Sequence, residues 1–207
     1  MIPFILPNLY HRIKDLPKKD LAVDSNYYDW MEDIWKYVEP SYDAFSAWAK
    51  QRCFGEITDL GCGNGYIGKK LGAKYFYDYI KSFNEVEVFD LMNLYDLHLK
   101  GNTFILSHVL EHLQYPKEVL LDLFENLKSG DRIILCVPDG GHLESTALPF
   151  QMYIPSNDCK SKHKHHYYSW TGSDLYNTLI RTGFDEVEMS FANISGFATL
   201  WAVGVKP

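Results

Sequence analysis

The alternation of apolar and polar positions divides the chain into two unlike parts. From residue 56 onward, short apolar runs recur with turns between them, at EITDL (56–60), KYFYDY (74–79), 85–91, 102–109 and 131–138. The run 85–91 alternates at first, whereas 102–109 and 131–138 are nearly continuous, as in parallel strands buried on both faces. Between those two, residues 117–127 read as a helix with Val119, Leu120, Leu123 and Leu127 on one side and Gly130 just past its end. A strand, a helix and a strand in that order predict a right-handed crossover and a sheet covered by helices. Further on, Thr171 stands as a helix N-cap with Asp174 at the third helical position, and Leu175, Leu179 and Ile180 follow as an apolar stripe up to Gly183. The segments 184–191 and 197–207 then predict a terminal strand pair joined at 193–196, which places the last strand antiparallel to the rest.

Upstream, the pattern is different. Pro3, Pro7 and Pro17 break any long element in the first 22 residues. From 25 to 51 the chain is aromatic and helical in period: Trp30, Ile34 and Val38 share one face, and Phe45 and Trp48 repeat it on a second helix after Pro40. We expect residues 1–52 to form an aromatic helical cap or lid on a domain spanning 53–207. Residues 139–170 show no period, and a loop of that length in a compact domain is usually functional or disordered. It is expected on the acceptor side of any site.

Composition adds three limits. With 207 residues and 46% apolar content the chain can bury one sizeable core. The formal charge of -7 argues against a nucleic-acid partner, because phosphate binding needs a cationic footprint. Cys53, Cys62, Cys136 and Cys159 form no CxxC pair, so a reducing, cytoplasmic setting is expected. No apolar run approaches the length of a membrane span.

The sharpest local signal is Asp59-Leu60-Gly61-Cys62-Gly63-Asn64-Gly65, a glycine turn that follows one strand and opens a short helix. A side chain at Gly61 or Gly63 would obstruct close approach of a ligand to the backbone. DLGCGNG with YIGKKL, then LSHVLEHL, LKSGDRIILCVPD and TGFDEVEMSF, resembles the class I methyltransferases that use S-adenosyl-L-methionine, over roughly residues 55–205. The resemblance implies a Rossmann-like seven-stranded, mostly parallel sheet with helices on both faces. It also implies transfer of a methyl group to an oxygen or nitrogen, with a small-molecule acceptor expected. A noncatalytic S-adenosylmethionine-binding subunit remains an alternative, as does an NAD-dependent oxidoreductase, since Gly63, Gly65 and Gly68 also spell GxGxxG. The protein is expected to act as a monomer or homodimer, without nucleic acid or membrane.

The expected cofactor residues are Asp59, Gly61, Cys62, Gly63, Asp78, Asp90, Leu91, Ser107 and His108. By resemblance Asp59 orders the methionine end, and its carboxylate complements an ammonium. Asp78, closing the second strand, suits ribose hydroxyls as acidic residues do in dinucleotide folds. By resemblance Asp90, with the Leu91 backbone, accepts from the adenine amine. Ser107 and His108 lie at the strand edge where ligands of open sheets collect. Only a turn fits between Asp78 and Asp90, where the family places a helix, so part of the sheet needs another cover. The aromatic N-terminal segment is the candidate.

His108-Val-Leu-Glu111-His112 spells an inverted zinc-protease signature, but His108 ends a strand and no third ligand follows, so no metal site is expected. His112 is placed near the acceptor channel. In the histidine-rich loop, His165 or His166 is the candidate general base or orienter, since imidazole exchanges a proton near neutral pH. Trp30, Tyr66, Tyr167 and Tyr168 are the candidate acceptor walls.

Overall fold

A computed structural model describes residues 25–96, 98–142, 168–194 and 197–207. A long helix α1 (Ser25–Lys50) precedes the sheet. The elements that follow are β1 (Ile57–Leu60), α2 (Tyr66–Leu71), β2 (Tyr75–Asp78), β3 (Val86–Val88), β4 (Thr103–Ser107) and α3 (Pro116–Asn126). The chain continues through β5 (Arg132–Pro138), α4 (Gly172–Thr182), β6 (Asp185–Ile194) and β7 (Phe197–Val205). The strands form one sheet of order β3-β2-β1-β4-β5-β7-β6. The first five are parallel, and β7 runs antiparallel to both its neighbours, as the terminal pair predicts.

Period-two alternation decides which side chains meet which helices. Phe104 and Leu106 of β4, Ile133, Leu135 and Val137 of β5, and Leu200 and Ala202 of β7 pack with Leu120 and Leu123 of α3 and Leu175 and Leu179 of α4. The intervening residues Ile57, Ile105, Ile134, Cys136, Trp201 and Val203 face the other way, onto Phe45 and Ala49 of α1 and Ile67 and Leu71 of α2. Both faces of the central strands are therefore buried, which explains their nearly unbroken apolar runs. The predicted cap on α4 is present: the Thr171 hydroxyl accepts from the Asp174 amide at 3.2 Å.

One expectation changes. The helices predicted on either side of Pro40 are one helix, Ser25–Lys50. Proline removes one backbone donor and disfavours the preceding turn, but Val38, Phe45 and Ala49 are all buried from this one helix, and that packing outweighs the local cost. The N-terminal segment expected to cover the strip of sheet left without a crossover helix lies largely outside the described residues. Phe83, from the turn between β2 and β3, lies edge-on to Phe76 at 5.2 Å and packs with Cys62 and Val86. Among the described residues, no helix is long and apolar enough to cross a membrane.

Candidate functional site

The glycine turn is built almost entirely from backbone. The amides of Gly61 and Cys62 both donate to the Tyr77 carbonyl, at 2.7 and 3.1 Å, which bends the chain off β1 toward β2. Gly61 has φ +74, and a Cβ there would lie 2.5 Å from Val109 Cγ2. Gly63 donates its amide to Asp78 Oδ2 at 2.8 Å, and Ile80 donates to Asp78 Oδ1 at 3.0 Å. Asp78, expected at the ribose hydroxyls, is thus tied to the glycine turn by its own carboxylate. The Cys62 side chain packs inward with Phe76 and Val86, and its carbonyl accepts from the Gly65 amide at 2.8 Å. Burial, then the charges of Asp59 and Asp78, push its thiol far above the usual range and keep it protonated.

Asp59 is the buried charge of the site. Its Oδ2 accepts from the Gly68 amide of α2 at 3.0 Å. A Cβ at Gly68 would lie 2.4 Å from that same oxygen, so glycine is required for α2 to approach β1. Burial raises the Asp59 carboxyl to about 7; the Gly68 amide opposes this, and the charge of Asp78 adds to it. No ion pair to Asp59 is present among the described residues. A buried carboxylate with one N–H partner and raised proton affinity is suited to an incoming cation.

Along the same edge, the Asp90 carboxylate accepts from the Met92 amide at 2.9 Å and from Asn93 Nδ2 at 3.3 Å, capping a 3-10 segment at Leu91–Asp96. The Phe89 amide donates to the Asp78 carbonyl at 2.8 Å, which keeps the Asp90 segment beside the turn. Leu91 is buried in the core. Ser107 ends β4 and pairs in register with Cys136 of β5.

His108 follows with φ 55, one of two non-glycine residues of positive φ among those described. Its Nδ1 lies 3.2 Å from Glu111 Oε1 and its Nε2 lies 3.5 Å from Cys136 Sγ. His112 Nε2 is 4.0 Å from the same Glu111 oxygen. HVLEH is therefore a buried carboxylate flanked by two imidazoles. Among the described residues, no group of side chains arranged to hold a metal is present.

The expected acceptor residues are distributed unevenly. The Tyr66 hydroxyl meets Asp43 Oδ1 at 2.6 Å and Glu39 Oε1 at 3.0 Å, so its ring is held by α1. The Tyr168 amide donates to the Glu111 carbonyl at 3.2 Å, and its ring packs 4.4 Å from Trp170. That contact brings the end of the long loop beside His112. Trp30 lies in the first half of α1. His165, His166 and Tyr167 fall outside the described residues. Sequence reasoning did not single out Tyr42, whose ring stacks on His108 at 5.2 Å, or Cys136. No local pattern marks either, because each meets its partner only through packing. Gly68 was legible as the last glycine of GxGxxG.

The fold agrees with that of known proteins. A crystal structure of an S-adenosylmethionine-dependent methyltransferase from Thermotoga maritima, described as a possible histamine N-methyltransferase, superposes with a TM-score of 0.66 at 16% identity, over 88% of this chain and 97% of that one. A methyltransferase of the same dependence from Archaeoglobus fulgidus gives 0.63 at 18% identity, over 88% and 100%. Magnesium protoporphyrin IX methyltransferase from Synechocystis, with S-adenosylhomocysteine bound, gives 0.57 at 16% identity, over 97% and 94%. In sequence, a tRNA U34 carboxymethyltransferase from a Sulfurovum species is 27% identical over 190 residues, 82% of this chain; the match spans 58% of that relative's length. The model of the methyltransferase domain matches residues 34–189. Three-quarters of the sequence thus fits that model, including the glycine turn and the strand edge just described. The chain belongs to the methyltransferase domain family.

Proposed function

We propose that the chain transfers the methyl group of S-adenosylmethionine to an oxygen or nitrogen of a small-molecule acceptor by in-line displacement. The observation that carries the reading is Asp59, a buried carboxylate with raised proton affinity beside a turn made of glycine backbone. An ammonium placed there would restore the charged form, which fits the donor's methionine end. Gly61 and Gly63 admit the donor against backbone, with Cys62 contributing main chain alone. Asp78 is assigned to the ribose, Asp90 and Leu91 to the adenine, and Ser107 and His108 to the border between donor and acceptor.

When bound, the donor supplies an already activated methyl group. The protein's part is to align and to exclude water, and alignment alone is worth up to about 7–11 kcal/mol. Tyr66, Tyr167, Tyr168 and Trp30 are assigned to the acceptor walls. A hydroxyl acceptor must also lose a proton, and His165 or His166, with His112 at the inner end, is assigned to take it. The charge of -7 supports a small acceptor over a polyanion.

The tRNA relative favours a second reading, an RNA base as acceptor. The discriminating experiment supplies donor with a deuterated methyl group to a panel of amines, phenols and carboxylic acids, and separately to bulk tRNA. We expect label in a small molecule by mass spectrometry. Label in tRNA alone moves the acceptor to RNA, and no label in either removes the catalytic reading. His165→Ala and His166→Ala, each with an unchanged pH–rate profile, would remove the base assignment.

A further inference from the structure

The order β2-β1-β4-β5 makes the carboxyl ends of β1 and β4 the place where strand connections diverge, and ligands of open α/β sheets bind in that crevice. Two rings flank it. Tyr66 opens α2 just past the glycine turn of β1, and His108 directly follows β4. Tyr42 of α1 meets both: its ring is 6.4 Å from that of Tyr66, and it stacks on His108 at 5.2 Å with an interplanar angle of 30°. A single residue from outside the sheet therefore bridges the two sides of the crevice.

We propose that Tyr42 roofs this crevice as a positioning residue for the methyl donor, and that Glu111 holds it there through His108. The proposal rests on the donor reading above and deepens it. Its support is the way His108 is gripped. Glu111 faces Nδ1 from the 3-10 segment Leu110–His112, Cys136 faces Nε2 from β5, and Tyr42 covers the ring from α1. His112 sits across the same Glu111 oxygen. A non-glycine residue at positive φ persists only where its surroundings over-determine it, and these three contacts do so.

Burial works against a charged His108, but the Cys136 sulfur and the Glu111 carboxylate outweigh it and hold the imidazole up to about 10. The shift favours the imidazolium, which binds an aromatic face more strongly than the neutral ring does. Because the folded value lies above the ordinary one of about 6.5, this contribution is complete below that pH. It is lost only as pH rises through about 10.

The test is calorimetric titration with S-adenosylhomocysteine, with proton NMR of the His108 ring in the protein alone. We expect Tyr42→Leu to weaken binding about tenfold and Tyr42→Phe, which keeps the ring, about threefold or less. Ala47→Ser, at an exposed position of α1, should leave it unchanged. Glu111→Gln, which loosens the hold on Nδ1, should weaken binding in the same direction as Tyr42→Leu and by less, and should shift the His108 ring signals. His108→Asn should reproduce the Tyr42→Leu loss, and it replaces Glu111→Gln if that variant does not fold. Parental affinity in Tyr42→Leu overturns the roof, and parental affinity with unmoved His108 signals in Glu111→Gln overturns the part given to Glu111. If the parent protein takes up no S-adenosylhomocysteine, the donor reading fails separately. The NMR arm then decides alone, and His108 signals unmoved in Tyr42→Leu overturn the proposal.

Discussion

The two ends of the carboxyl edge are constructed by different means. At the glycine turn, the amides of residues 61–63 are committed to the Tyr77 carbonyl and the Asp78 carboxylate, and glycine supplies the bends. At the other end, the site consists of side chains brought from far apart: Tyr42 from α1, His108 and Glu111 after β4, Cys136 from β5, and Tyr168 and Trp170 after the long loop. A backbone-built site suits a ligand that every member of a family shares, because it depends on few side-chain identities. A side-chain-built site can change its chemistry by substitution while the sheet stays the same.

The contrast can be broken by experiment. The largest expected effect is on stability at the side-chain end. Trp170 is fully buried, so Trp170→Ala should cost about 3–5 kcal/mol in denaturant unfolding. Its affinity for S-adenosylhomocysteine, measured where the variant is still folded, should stay near parental; a parallel collapse would mean that the two ends are one unit.

Gly61→Ala should act in the opposite way. Its backbone would sit at φ +74 with Cβ 2.5 Å from Val109 Cγ2. The left-handed conformation alone costs about 1–2 kcal/mol in an L-residue. We expect calorimetry to show a loss of donor-product affinity of at least about tenfold, and parental affinity would remove the close-backbone argument.

Asp59 sharpens the comparison through pH. Its folded carboxyl titrates at about 7, above the unfolded value near 4. The folded state therefore binds more protons between those values, and the ligand-free protein should lose stability as pH rises from about 4 to about 7. Asp59→Asn should flatten that fall in thermal melts. Binding of the ammonium-bearing donor near pH 6 should release part of a proton, read from the dependence of calorimetric heat on buffer ionisation enthalpy. A heat independent of buffer would detach Asp59 from the donor. The smallest effect belongs to a cap remote from the turn: Thr171→Ala should cost about 1 kcal/mol in unfolding and leave donor binding untouched.

The elements legible in the sequence share a property: their signal lies within a few residues. The helix at 172–182 is marked by Thr171, Asp174 and Gly183, and the structure begins and ends it there. The turn is marked by its glycines and by Asp59. The helix break expected at Pro40 was read from the same kind of local rule, and it failed because burial of Val38, Phe45 and Ala49 outweighs one missing backbone donor. Asp78 and Asp90 were legible as strand-end acids. That Asp78 already holds the Gly63 amide was not, since the pairing crosses from one strand end to the next.

By itself, the order of residues determined the layered α/β architecture, the glycine turn and the family, because periodicity, capping and glycine spacing act over short distances along the chain. Tertiary structure alone decided that His108 lies between Glu111 and Cys136, that Tyr42 covers it, and that Phe83 packs on Phe76, Cys62 and Val86 at the β2–β3 strip. These contacts join residues between 3 and 66 positions apart, the widest being Tyr42 with His108. Their energies come from burial and charge in a shared interior, which exists only after the sheet and its helices have closed around it.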